Sequence, residues 1–348
     1  MSNDGYLADA ATRHQVYVQR YAGGTLKRLA KFINKAISTA KSRVSEGLSR
    51  YGTQRYERQI DELQGGLAEI YGDMKQQAVL DLTEFGGYEA QFNMNLLGRV
   101  VLATVQLNTP SIEQVAAAAL ADPLDLEVGK GRQRISISGA LDQFGAKKSA
   151  DIISEIRIGS ALGETNGQIS RRLTSLGVQQ RDQATALVRT MTNHIASSAR
   201  QQVMDDNDDI LKGKRRVATL DSRTTPLCRA LDGTVVPMSA PSPPFHWNCR
   251  TTEIPVLKDE FAREIPGSTR PAVGAGGVEQ VSSRSTYGEW LARQPAAFQE
   301  DVLGPARYKL FSKGELSIDR FVDDNGKTLT LKQLREREPM AFEQAGIS

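Results

Sequence analysis

Asp221-Ser222-Arg223-Thr224-Thr225-Pro226-Leu227-Cys228 opens the most unusual stretch of the chain. It runs on through Leu231-Asp232-Gly233 and closes on Pro243-Pro244-Phe245-His246-Trp247-Asn248-Cys249-Arg250. Both cysteines of the sequence and one of its three histidines fall inside it. The H-x-x-C spacing of His246 and Cys249 lets two side chains converge on one ion. From the residues themselves three readings stay open. Cys228, His246 and Cys249 suit a structural zinc, with Asp221 or a water completing the tetrahedron. The two thiols suit a Cys228 to Cys249 disulfide or a close unbonded pair. Cys-His nucleophilic chemistry would need Asp221, Asp232 or Asn248 to orient the base. Asp232-Gly233 predicts a hairpin turn in which glycine supplies the positive φ, and Asp221 with Arg223 predicts a local ion pair. Short β-like pieces at 215–220, 234–236 and 252–256, separated by Pro- and Gly-rich turns, make the stretch a compact β-rich knob.

Upstream the pattern changes to helices. From Leu26, the residues Leu29, Ile33, Ile37, Ala40, Val44 and Leu48 share one helical face. A second pattern through Ile60, Leu63, Leu67, Ile70, Met74 and Ala78 is expected to break at Gly86-Gly87, and the two are expected to pair as an antiparallel hairpin turning near Gly52. A third helix is expected over 88–107. Ser111 and Gln114 predict a capping box for a short alanine-rich helix ended by Asp122-Pro123, and 129–139 reads as a strand or hairpin arm. Helices are expected again over 142–160, 169–176 and, with the cleanest periodicity, 181–204. Beyond the knob, Pro266, Gly267, Pro271, Gly274, Gly276 and Gly277 predict a linker without regular structure over 265–283. In the C-terminal unit Trp290, Leu291 and Phe298 anchor an amphipathic helix, and 316–334 reads as a small α+β cap with a turn at Asp324-Asn325-Gly326. The fold class is thus a mainly α N-terminal half with long amphipathic helices, a small α+β knob that is rich in β, and a short C-terminal α+β piece. The divisions fall at 1–140, 141–264, 265–283 and 284–348.

Composition narrows the function classes. A chain of 348 residues with 39% hydrophobic and 24% charged residues is expected to be globular and needs no covalent staples. No apolar run approaches the roughly 20 residues of a membrane span, and Met1-Ser-Asn-Asp-Gly-Tyr lacks the order of a secretory signal, so synthesis in a cytoplasm is expected. The formal charge of +3 makes no global case for nucleic acid. Locally it is otherwise: between Arg13 and Arg58 eleven basic residues face two acids, Glu46 and Glu57. Lys27, Arg28, Lys31, Lys35, Lys41 and Arg43 are the candidate docking cations, for a phosphate backbone or for an acidic protein surface.

The order strand, D-x-R-T (Asp221, Arg223, Thr224), Cys228, L-x-G (Gly233) and P-P-x-H-x-x-C-R (His246, Cys249, Arg250) is similar to the signature of the phage Mu F-like family, which includes minor head proteins of tailed phages. That family's fuller form resembles C-x-x-C followed by H-P-x-C-x-C. Here Thr225 stands at the first cysteine and Thr251 at the last, which leaves Cys228, His246 and Cys249 as the matching positions. The resemblance spans roughly 142–256, and the piece from Thr286 to Gly304 also looks like tails of phage minor head proteins. It implies a structural head morphogenesis protein and not an enzyme, present in several copies in the virion interior. Its implied partners are the portal protein and the major capsid protein, with double-stranded DNA as a further partner. Two other functions follow from the same residues: a DNA-binding protein ejected with the genome, and a Cys-His hydrolase or toxin-like enzyme.

Overall fold

The two N-terminal apolar stripes become α1 (Asp4–Glu46) and α2 (Gln54–Val100) of a computed structural model that describes residues 3–128, 131–265, 267–323 and 326–347. They fold back on each other through a short turn that contains Gly52, and Thr53 caps α2 by accepting from Tyr56 N–H. The expected break at Gly86-Gly87 does not occur, and α2 absorbs the third helix expected over 88–107 as far as Val100. These glycines serve packing instead. A β-carbon at Gly86 would stand 3.3 Å from Ala116 Cα, because α3 (Ile112–Ala121) lies directly against it. Ser111 and Gln114 form the predicted capping box at the start of α3. The strand expected from 129 is β2 (Gly131–Ile135), paired antiparallel with β1 (Leu124–Val128); position 129 itself lies outside the described residues.

Next come α4 (Ile137–Ala161) and α5 (Asn166–Asp205), the latter joining the two helices expected over 169–176 and 181–204. Gly177, between them, is again a contact glycine, with its would-be β-carbon 3.1 Å from Ile37 Cγ1 of α1. Residues of α1 to α5 share one apolar core, running from Val18 through Leu67 and Ile152 to Ala199, so burial more than local propensity stabilises these long helices. Replacing Gly86 by Val should therefore cost about 1–3 kcal/mol through overpacking. Urea unfolding of the purified chain checks this, and a change below about 0.5 kcal/mol would show that α3 does not press on α2.

The knob follows as β3 (Leu211–Val217), β4 (Leu220–Asp221), α6 (Pro226–Leu231), β5 (Val235–Val236) and β6 (Thr252–Leu257). β3 is central, with β5 and β6 antiparallel on its two sides. Gly233 has φ +81°, as predicted, but its turn joins helix α6 to strand β5 instead of linking two paired strands. The segment 265–283 is not a structureless linker: β7 (Thr269–Gly274) and β8 (Gly277–Ser282) form a hairpin, and β7 pairs parallel with β4 of the knob. Pro271 is tolerated although β7 lies between β4 and β8, because β4 is only two residues long and pairs with Ala272 and Val273, beyond the proline. Pro266 lies outside the described residues.

The C-terminal unit contains α7 (Tyr287–Ala292), α8 (Ala296–Leu303), α9 (Pro305–Ser312), α10 (Leu331–Arg337) and α11 (Pro339–Gln344). The single amphipathic helix expected here is two, broken at Pro295. The 316–334 cap has a 3-10 turn and an isolated Val322 to Thr328 bridge where strands were expected; Asp324 and Asn325 are outside the described residues. Leu220 and Ala272 share a core with Tyr287, Trp290 and Leu291, which fastens this unit to the knob. No helix among the described residues is long and apolar enough to cross a membrane.

Candidate metal centre and its brace

Thr225 caps α6 by accepting from Cys228 N–H, which turns the Cys228 side chain inward from the first helical turn. The loop from β5 returns through the cis Pro243-Pro244 bond and brings His246 and Cys249 to the same point. Cys228 Sγ lies 3.1 Å from His246 Nε2 and 3.8 Å from Cys249 Sγ. All three ligand atoms fall within 4.8 Å of one another. The two thiols are free, so the disulfide alternative is not what the structure contains.

Both departures from the fuller signature converge here too. Thr225 Oγ1 is 2.9 Å from His246 Nε2, and Thr251 stands beside Cys228 on the wall of the same cleft. His246 Nδ1 donates to the Trp247 carbonyl at 2.9 Å, which leaves Nε2 with its lone pair facing the thiols. Electrostatics agree with a ligand role. The hydrogen bond between the thiols, helped by His246 against the burial penalty, holds Cys249 well below the usual thiol range, while the same bond and burial push Cys228 well above it. Burial opposes protonation of His246, but Cys249 outweighs it and raises the imidazole.

Zinc fits this donor set in softness and in spacing. Two Zn–S bonds of about 2.3 Å at the tetrahedral angle put sulfurs roughly 3.8 Å apart, the separation found here. Three protein donors leave a fourth position, which opens on a cleft of about 100 Å³ bordered by Thr225, Thr251 and Arg223.

Asp221 is not part of this set. Its carboxylate accepts both arms of Arg250, at 2.5 and 2.7 Å, together with Arg223 N–H and the Thr224 hydroxyl. The expected Asp221–Arg223 ion pair exists at 3.5 Å on an exposed Arg223, and the stronger partner is Arg250. Burial works against the charge of Asp221, yet Arg250 holds its carboxyl below the usual carboxylate range. The motif residues D-x-R-T and C-R are therefore one brace across the base of the knob. Asp232, the second candidate for orienting a base, is buried on Arg270 of β7 at 2.7 Å and accepts from Ala218 N–H. Asn248, the third, is exposed, and its backbone N–H donates to Thr190 of α5.

Sequence reasoning missed two things. Arg270 sits in the presumed linker, where nothing in a Pro- and Gly-rich stretch signals a buried partner for Asp232. On the far side of Trp247, a cavity of about 330 Å³ opens between Ile135, Phe144 and Leu187, formed by segments too distant in the chain for any spacing rule to join.

The six docking cations divide. Arg28 is engaged by Asp81 at 2.8 Å, Arg43 by Glu62 and Glu46, and Lys41 donates to Thr174, so these three already have partners within the chain. Lys27, Lys31 and Lys35 are exposed and, among the described residues, have no ion pair or side-chain hydrogen bond.

Residues 150–254 match the family described as "Phage Mu protein F like protein". This segment is Mu F-like. The match covers just under a third of the chain and runs from within α4 to β6, so it takes in the whole Cys-His cluster and the Asp221–Arg250 brace. No curated protein and no solved structure matches the chain.

Proposed function

We propose that this chain is a bacteriophage minor head protein, a structural component of head assembly that associates with the portal or the inner capsid. The observation that carries the reading is the Mu F-like match, whose signature residues make up the Asp221–Arg250 brace and the cluster above it. In this role the knob is a folded fastening between the helical bundle and the C-terminal unit, and the cluster holds a structural zinc through Cys228, His246 and Cys249. When bound, zinc would tie the start of α6 to the loop before β6; Thr225 holds the imidazole in place beside it.

Turnover is not part of the reading. Cys249 is fully buried and Cys228, on the wall of the small cleft, is 2% exposed, which suits the thiols to holding an ion. Asp221 and Asp232 are both committed to arginines. Mass spectrometry of purified virions, with and without their DNA, tests the proposal. The chain is expected in both preparations, at several copies per particle. Its absence from mature particles would overturn residence in the head, and its disappearance with the DNA would favour the ejected-protein alternative.

A further inference from the structure

Arg20, Lys27, Lys31 and Lys35 are exposed on α1 and, among the described residues, engage no carboxylate and make no side-chain hydrogen bond. At 3.6 residues per turn they lie within an arc of about 80°, and at ~1.5 Å per residue the row is roughly 22 Å long. Tyr17 and Val16 flank this arc at 38% and 48% exposure, and the Tyr17 ring lies tilted against the exposed Tyr88 of α2 with centroids 4.8 Å apart. The acids beside the row are largely committed: Asp81 is taken up by Arg28 and Gln77 and Glu89 by His14, while Glu84 also acts on Tyr17 and Tyr21.

A second observation is independent of charge. Gly23 and Gly24 interrupt this helix between Arg20 and Lys27, and Gly24 falls on the same arc. A glycine in a helix interior costs about 1 kcal/mol relative to alanine. Packing within the chain does not call for either: a β-carbon at Gly23 would meet nothing within 4 Å, and one at Gly24 only the tip of Arg28 at 3.8 Å. Gly86 and Gly177, by contrast, are pressed by neighbours. Bare backbone in the middle of a cationic row favours something that comes close from outside.

We propose that this face of α1 binds the phosphate backbone of double-stranded DNA, with Lys27, Lys31 and Lys35 as the principal contacts, Arg20 as the fourth, and Tyr17 bordering the track. Lysines at four-residue spacing are point charges about 6 Å apart, which suits a uniform line of phosphates. The fork of arginine matches phosphate and carboxylate alike, so what favours the duplex is the even spacing of the row against an evenly charged backbone. The duplex carries one charge per ~1.7 Å with both strands counted, so ~22 Å of it holds roughly thirteen phosphates, and four contacts to those on the near side need no particular sequence. The inference rests on the head-protein reading for its setting, whereas its test uses the purified chain and not the virion.

The test is fluorescence anisotropy of a 30-base-pair mixed-sequence duplex titrated with the full chain between 50 and 200 mM NaCl. Four phosphate contacts predict a slope of log K against log salt of about −3.6, or roughly a hundredfold loss over that range. Lys27→Glu/Lys31→Glu/Lys35→Glu should flatten the slope to about −1 or abolish binding. Lys313→Glu/Lys327→Glu/Lys332→Glu, which makes the same charge change on the C-terminal unit, should bind within about threefold of the unaltered chain, since screening limits charges a Debye length away. Gly24→Leu changes no charge and should retain the helix by circular dichroism, yet weaken binding at least about tenfold by holding the duplex off. Undiminished binding by the α1 triple variant, equal loss in the control triple, or wild-type affinity in Gly24→Leu would each overturn the proposal. Loss of portal or capsid co-sedimentation with DNA binding intact would assign the row to an acidic protein surface instead. Virion mass spectrometry stays informative either way: a chain resident in heads that ignores DNA sinks this inference and leaves the head reading standing.

Discussion

Cys249→Ser protein purified gently and without chelator is expected to hold less than about 0.2 zinc per chain, where the unaltered chain holds close to one. The expectation follows from three donors gathered within 4.8 Å of one another by two separate elements, the first turn of α6 and the loop that leads into β6. The Sγ to Sγ separation of 3.8 Å is what two zinc–thiolate bonds require and is much longer than a disulfide. The bond from Cys228 and the neighbouring His246 lower the Cys249 thiol against its burial, the direction that favours a metal-ligating thiolate. Metal bound to the folded chain and not to the unfolded one stabilises it by mass action, so chelation should lower the thermal midpoint of the unaltered chain and leave that of Cys249→Ser unmoved. Thr225→Cys adds the signal in the opposite direction. Its thiolate would stand near His246 Nε2, where the Thr225 hydroxyl is now, and close the fourth position. Zinc should then leave to a chromogenic chelator at least about tenfold more slowly, although losing the Thr225 cap costs about 1 kcal/mol. Zinc below about 0.2 per unaltered chain, with a thermal midpoint indifferent to chelator, would remove the metal from the reading.

How far the sequence could be read depended on whether the deciding interaction was local. The α1 stripe from Leu29 to Val44, the capping box at Ser111 and Gln114, and the α5 face from Ala184 to Val203 are periodic or near-neighbour features, and the structure has them where the pattern puts them. Gly86-Gly87 and Gly177 misled for a physical reason. Within one helix a glycine is only a weakness, and its use as a place for a second helix to come near appears once Ala116 and Ile37 are in position. The same holds for 265–283, where a Pro- and Gly-rich composition masks a hairpin that β4 templates from fifty residues upstream. At the candidate site, residue type groups Cys228 with the H-x-x-C pair His246 and Cys249, and the structure places their ligand atoms within 4.8 Å of one another. In the sequence Asp221 stands beside water as a candidate fourth ligand, because a carboxylate near cysteines resembles one. Only the three-dimensional position of Arg250 shows where that charge is spent. Among the basic residues, Arg28 and Arg43 look as available as Lys31 in sequence, yet their carboxylate partners lie across the hairpin on α2.

Asp221→Asn is expected to destabilise the chain by about 3 kcal/mol, because it strips the counter-charge from Arg250 in a half-dry setting while leaving the guanidinium there. Asp221 is 4% exposed and Arg250 partly so, which places the pair between the surface case, worth little, and the fully buried one. The effect carries a pH signature. Arg250 holds the folded-state carboxyl of Asp221 below its unfolded value near 4. Its stabilisation is therefore complete above that value and drains away as pH falls through the folded one, since the unfolded chain then takes up the proton first. In urea titrations from pH 6 to pH 3, Asp221→Asn should show a lower plateau at pH 6 and a shallower acid limb than the unaltered chain. The two curves should draw together toward pH 3. A double cycle with Arg250→Met isolates the pair, with a coupling of about 1.5–3 kcal/mol expected. The brace also reaches the C-terminal unit, because the Tyr287 hydroxyl donates to the Asp221 carbonyl at 2.8 Å and the Tyr287 ring stacks edge-on against Trp290. Loosening β4 should thus shift the emission of buried Trp290 toward the red before global unfolding, and Trp247→Phe in the background removes the other indole so that the signal is unambiguous. Were Asp221→Asn to lie within about 0.5 kcal/mol of the unaltered chain, with the same acid limb and unchanged emission, the D-x-R-T and C-R motifs would have to be explained by something other than their mutual ion pair.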